Sequence, residues 1–483
     1  KLELSKMTGV KTYSPVFKKR GSKLPTAKAI KAQNKKVTAF KTSRELEKKK
    51  ALQTFHQSQK PKLNVSLNPE QQNAVELLEK TNKNVFLTGS AGTGKSFVIN
   101  QYLSNTQRRI PVLATTGAAA ILVNGVTFHR FFGLRLSELD DKGVIQRAYE
   151  DDRVRKRILE ASEVVIDEVS MLKPRDLELA SEIAKKVKNN HNVFGGIRVV
   201  LTGDFFQLPP VIKRDDEFHT GSKWIFKSEI WKQLGLTYME LIRPVRTDNE
   251  EFVKILNKVR YGICDKQVED FFNSRFYPPN EKYSGTVVYA KKEMVEGHNK
   301  KMLEAVDSKA MKFVTEVSYA PNIKKIDTIF KDSPIPEVLY LKVGAIVMIR
   351  KNDPEGRYVN GSIGKVLSIS NGKLKLALAA GKIELEKDNF EIKNGDGGTI
   401  ATITNFPVVL GWAITIHKSQ GASLDHYRVN ISGLWEPGQA YVALSRAKNP
   451  KNVIIESWSK GSVKADPEVI GFYKSFTKLE KSV

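Results

Sequence analysis

Cysteine is nearly missing from this chain. Cys264 is the only one in 483 residues, so no disulfide framework within the chain is possible, and the seven histidines show no zinc-ligand spacing. No apolar run is long enough to cross a membrane, and no secretory hydrophobic segment is visible. These absences exclude a secreted disulfide scaffold, a zinc module and an integral membrane protein, and they leave an intracellular protein as the expectation. The compartment stays open between nucleus, mitochondrion, prokaryotic cytoplasm and a virus-infected host cell. Nothing repeats at solenoid spacing. Acidic residues are scarce in one place: residues 1–62 hold 18 Lys and Arg against 3 Asp and Glu, a net +15 of the chain's +26. This extension is acid-poor like an organellar transit peptide, but Lys-rich rather than Arg-rich, which argues against that reading. It is expected to be disordered, with a short helix near 43–57 started by the capping box Thr42-Ser43-Arg44-Glu45. Basic excess in both the extension and the remainder points to a polyanionic partner, nucleic acid above all. The sequence opens on Lys1 rather than Met, so a further N-terminal segment is expected.

What the chain does contain is a complete GxxxxGK[ST] loop, Gly89-Ser90-Ala91-Gly92-Thr93-Gly94-Lys95-Ser96. The buried-strand pattern Val85-Phe86-Leu87 precedes it and the helical pattern Phe97–Leu103 follows. Glycines let backbone N–H groups converge on phosphate oxygens, and the helix N-terminus adds its dipole. Lys95 reaches the β- and γ-phosphates, and Ser96 ligates Mg²⁺. The chain is therefore expected to bind a nucleoside triphosphate with Mg²⁺.

From residue 63 onward, short apolar strands alternate with helical stretches. Val85–Thr88, Pro111–Ala114, Val164–Asp167, Val199–Thr202 and Tyr238–Leu241 are the strands of a first domain, 63–240, with a charged insertion at 134–160. A second α/β domain, 241–342 and 407–483, has strand candidates Thr286–Ala290 and Val453–Glu456. Between its halves, 343–406 reads as a small β-barrel, with strands at Ala345–Ile349, Gly364–Ser368, Leu374–Leu378, Lys382–Leu385 and Thr399–Thr404. Asn360-Gly361 and Asn371-Gly372 fit hairpin turns there. Alternating strands and helices imply parallel sheets with ligands at the carboxyl ends of strands.

Three further groups fall at such ends or in the second half. Asp167-Glu168 closes the strand Val164–Ile166, with Asp167 suited to the metal and Glu168 to taking the attacking water's proton. Gln207, in Gly203-Asp204-Phe205-Phe206-Gln207-Leu208-Pro209-Pro210-Val211, can hydrogen-bond a γ-phosphate, and the rigid Pro209-Pro210 pair can transmit its loss. Arg246 and Arg446 supply planar, permanent charges of the kind that stabilises a phosphoryl-transfer transition state; from the second domain they would reach it as the cleft closes.

Taken in order, these motifs resemble the petite-integration-frequency (PIF) family of superfamily-one DNA helicases, related to the recombination helicase subunit RecD. The resemblance covers about 63–483. Leu67-Asn68-Pro69-Glu70-Gln71-Gln72 is similar to the family's glutamine motif, which puts Gln71 on adenine. Ala114–Ala120 and Gly125–Gly133 resemble its two single-strand contact motifs. Val169-Ser170-Met171 after the acidic pair, Phe194-Gly195-Gly196-Ile197, Tyr358–Gly364, Ile416-His417-Lys418-Ser419-Gln420-Gly421 and Tyr441-Val442-Ala443-Leu444-Ser445-Arg446-Ala447 continue the series. Ala290-Lys291-Lys292 departs from the family's hydroxyl residue followed by Arg, and Pro244 is a departure in the motif around Arg246. The resemblance implies an α/β fold of two RecA-like P-loop domains, the second carrying an SH3-like barrel. It also implies ATP-driven, 5′-to-3′ unwinding, extending as a further expectation to RNA–DNA hybrids and G-quadruplexes, in DNA replication, repair or recombination. Single-stranded DNA and forked or tailed duplexes are the implied partners of a chain that is monomeric off DNA.

A motor of this kind must hold backbone without reading sequence. Thr116, Gly117, Thr127, His129, Pro209, His417 and Lys418 are the candidate DNA contacts. Phe131 and Phe132 could stack on bases, although aromatics beside glycine more often belong to a core. An RNA-directed or packaging motor and a basic DNA-binding protein with a degenerate nucleotide fold remain the rivals.

Overall fold

Strands whose apolar residues run without interruption are buried on both faces, and the first sheet is built that way. It contains β1 (Val85–Gly89), β2 (Val112–Ala114), β3 (Val126–Thr127), β4 (Glu163–Asp167), β5 (Arg198–Thr202) and β6 (Thr237–Leu241), in the order β3-β2-β4-β5-β1-β6. Every neighbouring pair is parallel. Val85, Leu87, Val165 and Val200 pack on helices Pro69–Lys80 and Lys95–Asn105. Their alternates Phe86, Val164, Ile166, Val199 and Leu201 face the opposite core, which includes Leu177 and Ile183 of helix Pro174–Lys188. This computed structural model describes residues 67–134, 140–210, 222–277, 283, 285–319, 330, 333–353, 355–393 and 398–480. The basic extension, with the helix expected near 43–57, lies outside them, as does Val211.

The insertion at 134–160 forms helices Asp141–Glu150 and Asp152–Glu160, capped by the carboxylates of Asp140 and Asp151. Val144, Ala148, Val154 and Ile158 bury the pair in the core beside the first sheet, which with its helices forms the first lobe; a second parallel sheet forms the second lobe. Phe131 and Phe132 are 1% and 0% exposed, so their rings belong to that core and are not free to stack on bases.

A second, four-stranded sheet has β7 (Thr286–Tyr289), β18 (Ala413–Thr415), β19 (Tyr427–Ile431) and β20 (Val453–Trp458) in the order β18-β7-β19-β20, again all parallel. Between β7 and β18 the chain turns to antiparallel pairing. β11 (Ile346–Ile349), β12 (Ile363–Ser370), β13 (Lys373–Leu378), β14 (Gly381–Glu386) and β17 (Val408–Leu410) form one sheet around Val347, Val366, Leu374 and Leu376. β15 (Asp388–Lys393) and β16 (Thr399–Asn405) pair with β9 (Glu316–Tyr319), and β8 (Met311–Val314) pairs with β10 (Val338–Leu341).

Three sequence expectations change. The antiparallel region begins at Met311 rather than 343, because β8 and β9 are short, mostly exposed strands with no apolar alternation to reveal them. Asn371-Gly372, with φ of 50° and 73°, is the two-residue turn between β12 and β13, and Asn360-Gly361 lies in the longer loop of the hairpin formed by the antiparallel neighbours β11 and β12. Arg357 fastens that loop with two hydrogen bonds to Asp353, at 2.7 and 2.9 Å. β6 completes the first sheet, and the chain leaving it stays on the first lobe through Arg246. Finally, helix Pro467–Glu480 returns to the first lobe instead of staying with the second. Tyr473 meets the Thr88 hydroxyl at 2.7 Å, and the Phe472 ring stacks on Phe226 at 4.4 Å beside Phe205 and Phe86. Each such aromatic pair adds about 0.5–1.5 kcal/mol beyond burial.

Candidate nucleotide site and nucleic-acid interface

The phosphate loop closes at Gly94, whose φ of 91° caps the helix Lys95–Asn105 and which a Cβ would drive to 2.5 Å from Gln71 Nε2. Gln71 is 3% exposed. Its Nε2 donates to Thr93 O at 3.1 Å, and its Oε1 accepts from Asn68 N–H at 3.1 Å. The amide expected on adenine therefore spends one end bracing the loop and the other capping the helix Pro69–Lys80 in this structure. Lys95 Nζ donates to Gly89 O and Ser90 O at 2.8 and 3.2 Å, so the loop's own carbonyls hold its charge. Desolvation disfavours that ammonium, while Asp204, Glu168 and Asp167 favour it.

At the end of β4, Asp167 accepts from Glu168 N–H at 2.9 Å. Burial, and then the Glu168 charge, push its carboxyl up to about 7. Glu168 has φ 53°, a left-handed backbone unusual for a non-glycine, and its Oε2 accepts from Gln420 Nε2 at 3.1 Å. Two oxygens suit a divalent cation here: Ser96, exposed at the loop's end, and an Asp167 whose ionised form needs a positive neighbour. Among the described residues no cluster of three or more His, Cys, Asp or Glu could hold a metal alone, so phosphate and water would complete the shell.

Arg246 is not delivered by the second lobe. Val245 N–H and Arg246 N–H donate to Gly92 O at 2.7 and 3.1 Å, which ties this segment to the phosphate loop. The Arg246 guanidinium then crosses to the second lobe, donating to Ser445 O at 2.8 Å. Arg446 is 1% exposed and donates to Val442 O, Ser419 O, Ala422 O and Ser445 Oγ. Burial, then the Arg246 charge beside it, disfavour its cationic form, and Glu168 favours it. The two arginines thus sit together across the lobe boundary, in surroundings that an added anion would relieve.

Gln207 is buried at 5% exposure, on the loop after β5. Gly438, φ 84°, lies so close that a Cβ would meet Gln207 O and Phe206 O at 2.6 Å, so only glycine lets the two lobes touch there. Pro209 is buried too and offers no DNA surface in this state. Several residues not singled out from sequence complete the site. Ala91 N–H donates to Tyr441 Oη at 2.7 Å, and Tyr441 Oη–H donates to Asp204 Oδ2 at 3.3 Å. Arg260 pairs with Asp204 at 3.0 Å and lies over the Phe206 ring at 4.5 Å. Tyr441 was visible within its motif. Arg260 ends helix Glu250–Arg260, where nothing in the sequence sets it apart from Lys258 in the same last turn.

The candidate DNA contacts share one kind of location. Thr116 follows β2 and Thr127 ends β3; their hydroxyls cap the short helices Gly117–Leu122 and Phe128–Phe132, accepting from Ala119 N–H and Arg130 N–H. Thr415 does the same after β18 for the turn carrying His417 and Lys418. Thr116 and Lys418 are exposed, His417 and Thr127 half-buried, and Gly117 buried. His129 is held by Asp176, 3.1 Å away, so a phosphate there would compete with a carboxylate. Desolvation and then the charges of Arg350 and Lys292 disfavour the Lys418 cation, and desolvation holds His417 below the usual imidazole range. Trp435, in the loop after β19, is 50% exposed with Lys291 Nζ 5.7 Å from its ring centre. It is an open aromatic face at strand carboxyl ends, where Phe131 and Phe132 are not.

The family model described as PIF1-like helicase matches residues 66–270. "ATP-dependent DNA helicase Pif1" of Bdellovibrio bacteriovorus is 38% identical over 418 residues, 86% of this chain and 93% of that protein. "ATP-dependent DNA helicase PIF1" of Xenopus laevis is 31% identical over 406 residues, 82% of this chain; the matched region spans 62% of that longer relative. Among solved structures, Bacteroides Pif1 in complex with ADP-AlF4 is similar with TM-score 0.75 and 27% identity, covering 86% of this chain and 98% of that one. The same coverage holds for Bacteroides Pif1 bound to ssDNA, at TM-score 0.61 and 26% identity.

Proposed function

The chain belongs to the PIF1-like helicase family, and we propose that it is an ATP-dependent DNA helicase that translocates 5′-to-3′ on single-stranded DNA. Forked and tailed duplexes are its substrates, with RNA–DNA hybrids and G-quadruplexes within its reach. The two parallel sheets are then RecA-like lobes, and the antiparallel region an SH3-like barrel carried by the second. The observation that carries this reading is the junction at Gly92: one segment hydrogen-bonds the phosphate loop through Val245 and Arg246 and reaches the other lobe through Ser445.

The chemistry follows from groups already placed there. ATP phosphates take the loop amides, and Lys95 exchanges the carbonyls of Gly89 and Ser90 for phosphate oxygens. Ser96 and Asp167 would hold Mg²⁺, which when bound offsets phosphate charge. Glu168 accepts the attacking water's proton. Arg246 and Arg446 stabilise the charge developing on the transferred group. Reading of adenine by Gln71 requires that its contacts to Asn68 and Thr93 be exchanged. Thr116, Gly117, Thr127, His417 and Lys418 contact phosphates, His129 only by yielding Asp176, and Trp435 offers a stacking face for a base. Turnover loosens the Gly92–Arg246–Ser445 junction, so the grips on either lobe advance in turn.

ATP hydrolysis measured with and without single-stranded DNA tests the reading. Stimulation by DNA, loss of turnover in Lys95→Ala, and ATP binding with scarcely any hydrolysis in Glu168→Gln are expected. Equal turnover by wild type and Glu168→Gln would remove the assigned base.

A further inference from the structure

Resting on that reading, the geometry points to Gln420 as a positioning residue for the attacking water, and as the link that makes hydrolysis answer to DNA. Its side-chain amide has two ends with different fates. Nε2 donates to Glu168 Oε2 at 3.1 Å, across the boundary between lobes. Oε1 is buried and has no hydrogen-bond partner among the described residues. A buried carbonyl oxygen left unpaired costs about 1–3 kcal/mol, so it marks a place where a donor belongs.

A water molecule beside Glu168 supplies that donor. One O–H points at the Glu168 carboxylate and the other at Gln420 Oε1, which leaves an oxygen lone pair free to attack the γ-phosphorus. As the new P–O bond forms, the bond from γ-phosphorus to the β,γ-bridging oxygen breaks. Glu168 takes the water's proton, and ADP leaves with both electrons of the broken bond. Gln420 neither gains nor loses a proton. Its contribution is orientation, the role an amide side chain fills when it orders a hydrolytic water.

The residue's address supplies the link to DNA. Gln420 follows the turn Ile416–Ser419, which carries His417 and Lys418 and is capped by Thr415 at the end of β18. Gln420 N–H donates to His417 O at 3.2 Å, so the amide and the DNA-facing side chains move as one short unit. Arg446 secures that unit from behind through Ser419 O and Ala422 O, and Arg246 reaches Ser445 beside it. A strand that pulls this turn into register sets the Gln420 amide, and with it the water.

Steady-state ATP hydrolysis at saturating oligo(dT), together with oligo(dT) affinity by fluorescence anisotropy, tests this on the full chain. For Gln420→Ala we expect kcat to fall by ~10²-fold or more, while KM for ATP and Kd for oligo(dT) change less than about twofold. Gln420→Asn, an amide one methylene short, should be equally impaired. Gln420→Glu matches the native side chain in size but lacks the donor and sets a second carboxylate against Glu168; it should bind oligo(dT) and remain slow, which keeps the test open should the alanine variant misfold. A kcat within threefold of wild type in the folded variants overturns the proposal, as does faster hydrolysis, which would make Gln420 a restraint on Glu168. If wild type itself shows no stimulation by oligo(dT), the helicase reading fails and this proposal fails with it.

Discussion

Replacing Asp167 by Asn should stabilise the nucleotide-free protein by an amount that grows as pH rises from about 4 and is complete near pH 7. Asp167 is lifted from 3.8 to about 7 by burial and by Glu168. Between those two values the folded chain holds a proton that the unfolded chain has released. Folding stability therefore falls as pH rises through that window and levels off above about pH 7. At about 1.36 kcal/mol per unit the full penalty would be roughly 4 kcal/mol, and screening in the open cleft reduces it to ~2 kcal/mol. Asn keeps the shape and cannot ionise. In EDTA at pH 8 the variant should melt about 2–6 °C above wild type, and at pH 4 the two should nearly coincide. Adding Mg²⁺ with nucleotide should reverse the order, because only wild type offers the ion a carboxylate. Thermal melts at both pH values, with and without Mg²⁺–nucleotide, read all of this. A variant that melts below wild type at pH 8 in EDTA, or a difference that does not move with pH, would refute the argument.

Two other outcomes follow from the site. Arg246→Ala and Arg446→Ala should each lower kcat by ~10³-fold with ATP affinity modestly changed, and Arg246→Lys should not rescue, since an ammonium lacks the planar fork; single-turnover hydrolysis separates binding from chemistry, and near-wild-type rates in Arg446→Ala would end the two-lobe account. Trp435→Ala should cost ~1–3 kcal/mol of oligo(dT) binding, seen as a roughly 5- to 150-fold rise in Kd by anisotropy, and an unchanged Kd would leave that ring a bystander.

Most of the first sheet was legible because strands buried on both faces carry unbroken apolar runs such as Val164–Ile166, whereas in the second sheet only β7 and β20 were expected: β18 is three residues long, and Arg428 and Asn430 interrupt the apolar residues of β19. β8 and β9 were not, since exposed strands such as Met311–Val314 carry no burial pattern and are fixed only by their partners. The phosphate loop and the acidic pair could be named because one local stretch carries each function. Contacts made across the lobes left no local trace. Gln420 on Glu168, Tyr441 on Ala91 and Arg260 on Asp204 join residues 252, 350 and 56 positions apart. The same distance effect misplaced Arg246, whose backbone belongs to the first lobe's phosphate loop although its side chain crosses to the second.

Strand separation on tailed duplexes tests the central claim most directly. Two labelled duplexes that differ only in carrying a 5′ or a 3′ single-stranded tail are mixed with the protein, Mg²⁺ and ATP, with Lys95→Ala as the control. The account predicts release of the labelled strand from the 5′-tailed duplex, little from the 3′-tailed one, and none with Lys95→Ala. Preferential opening of the 3′-tailed duplex would contradict the direction of travel, and no ATP-dependent opening of either would contradict the helicase itself.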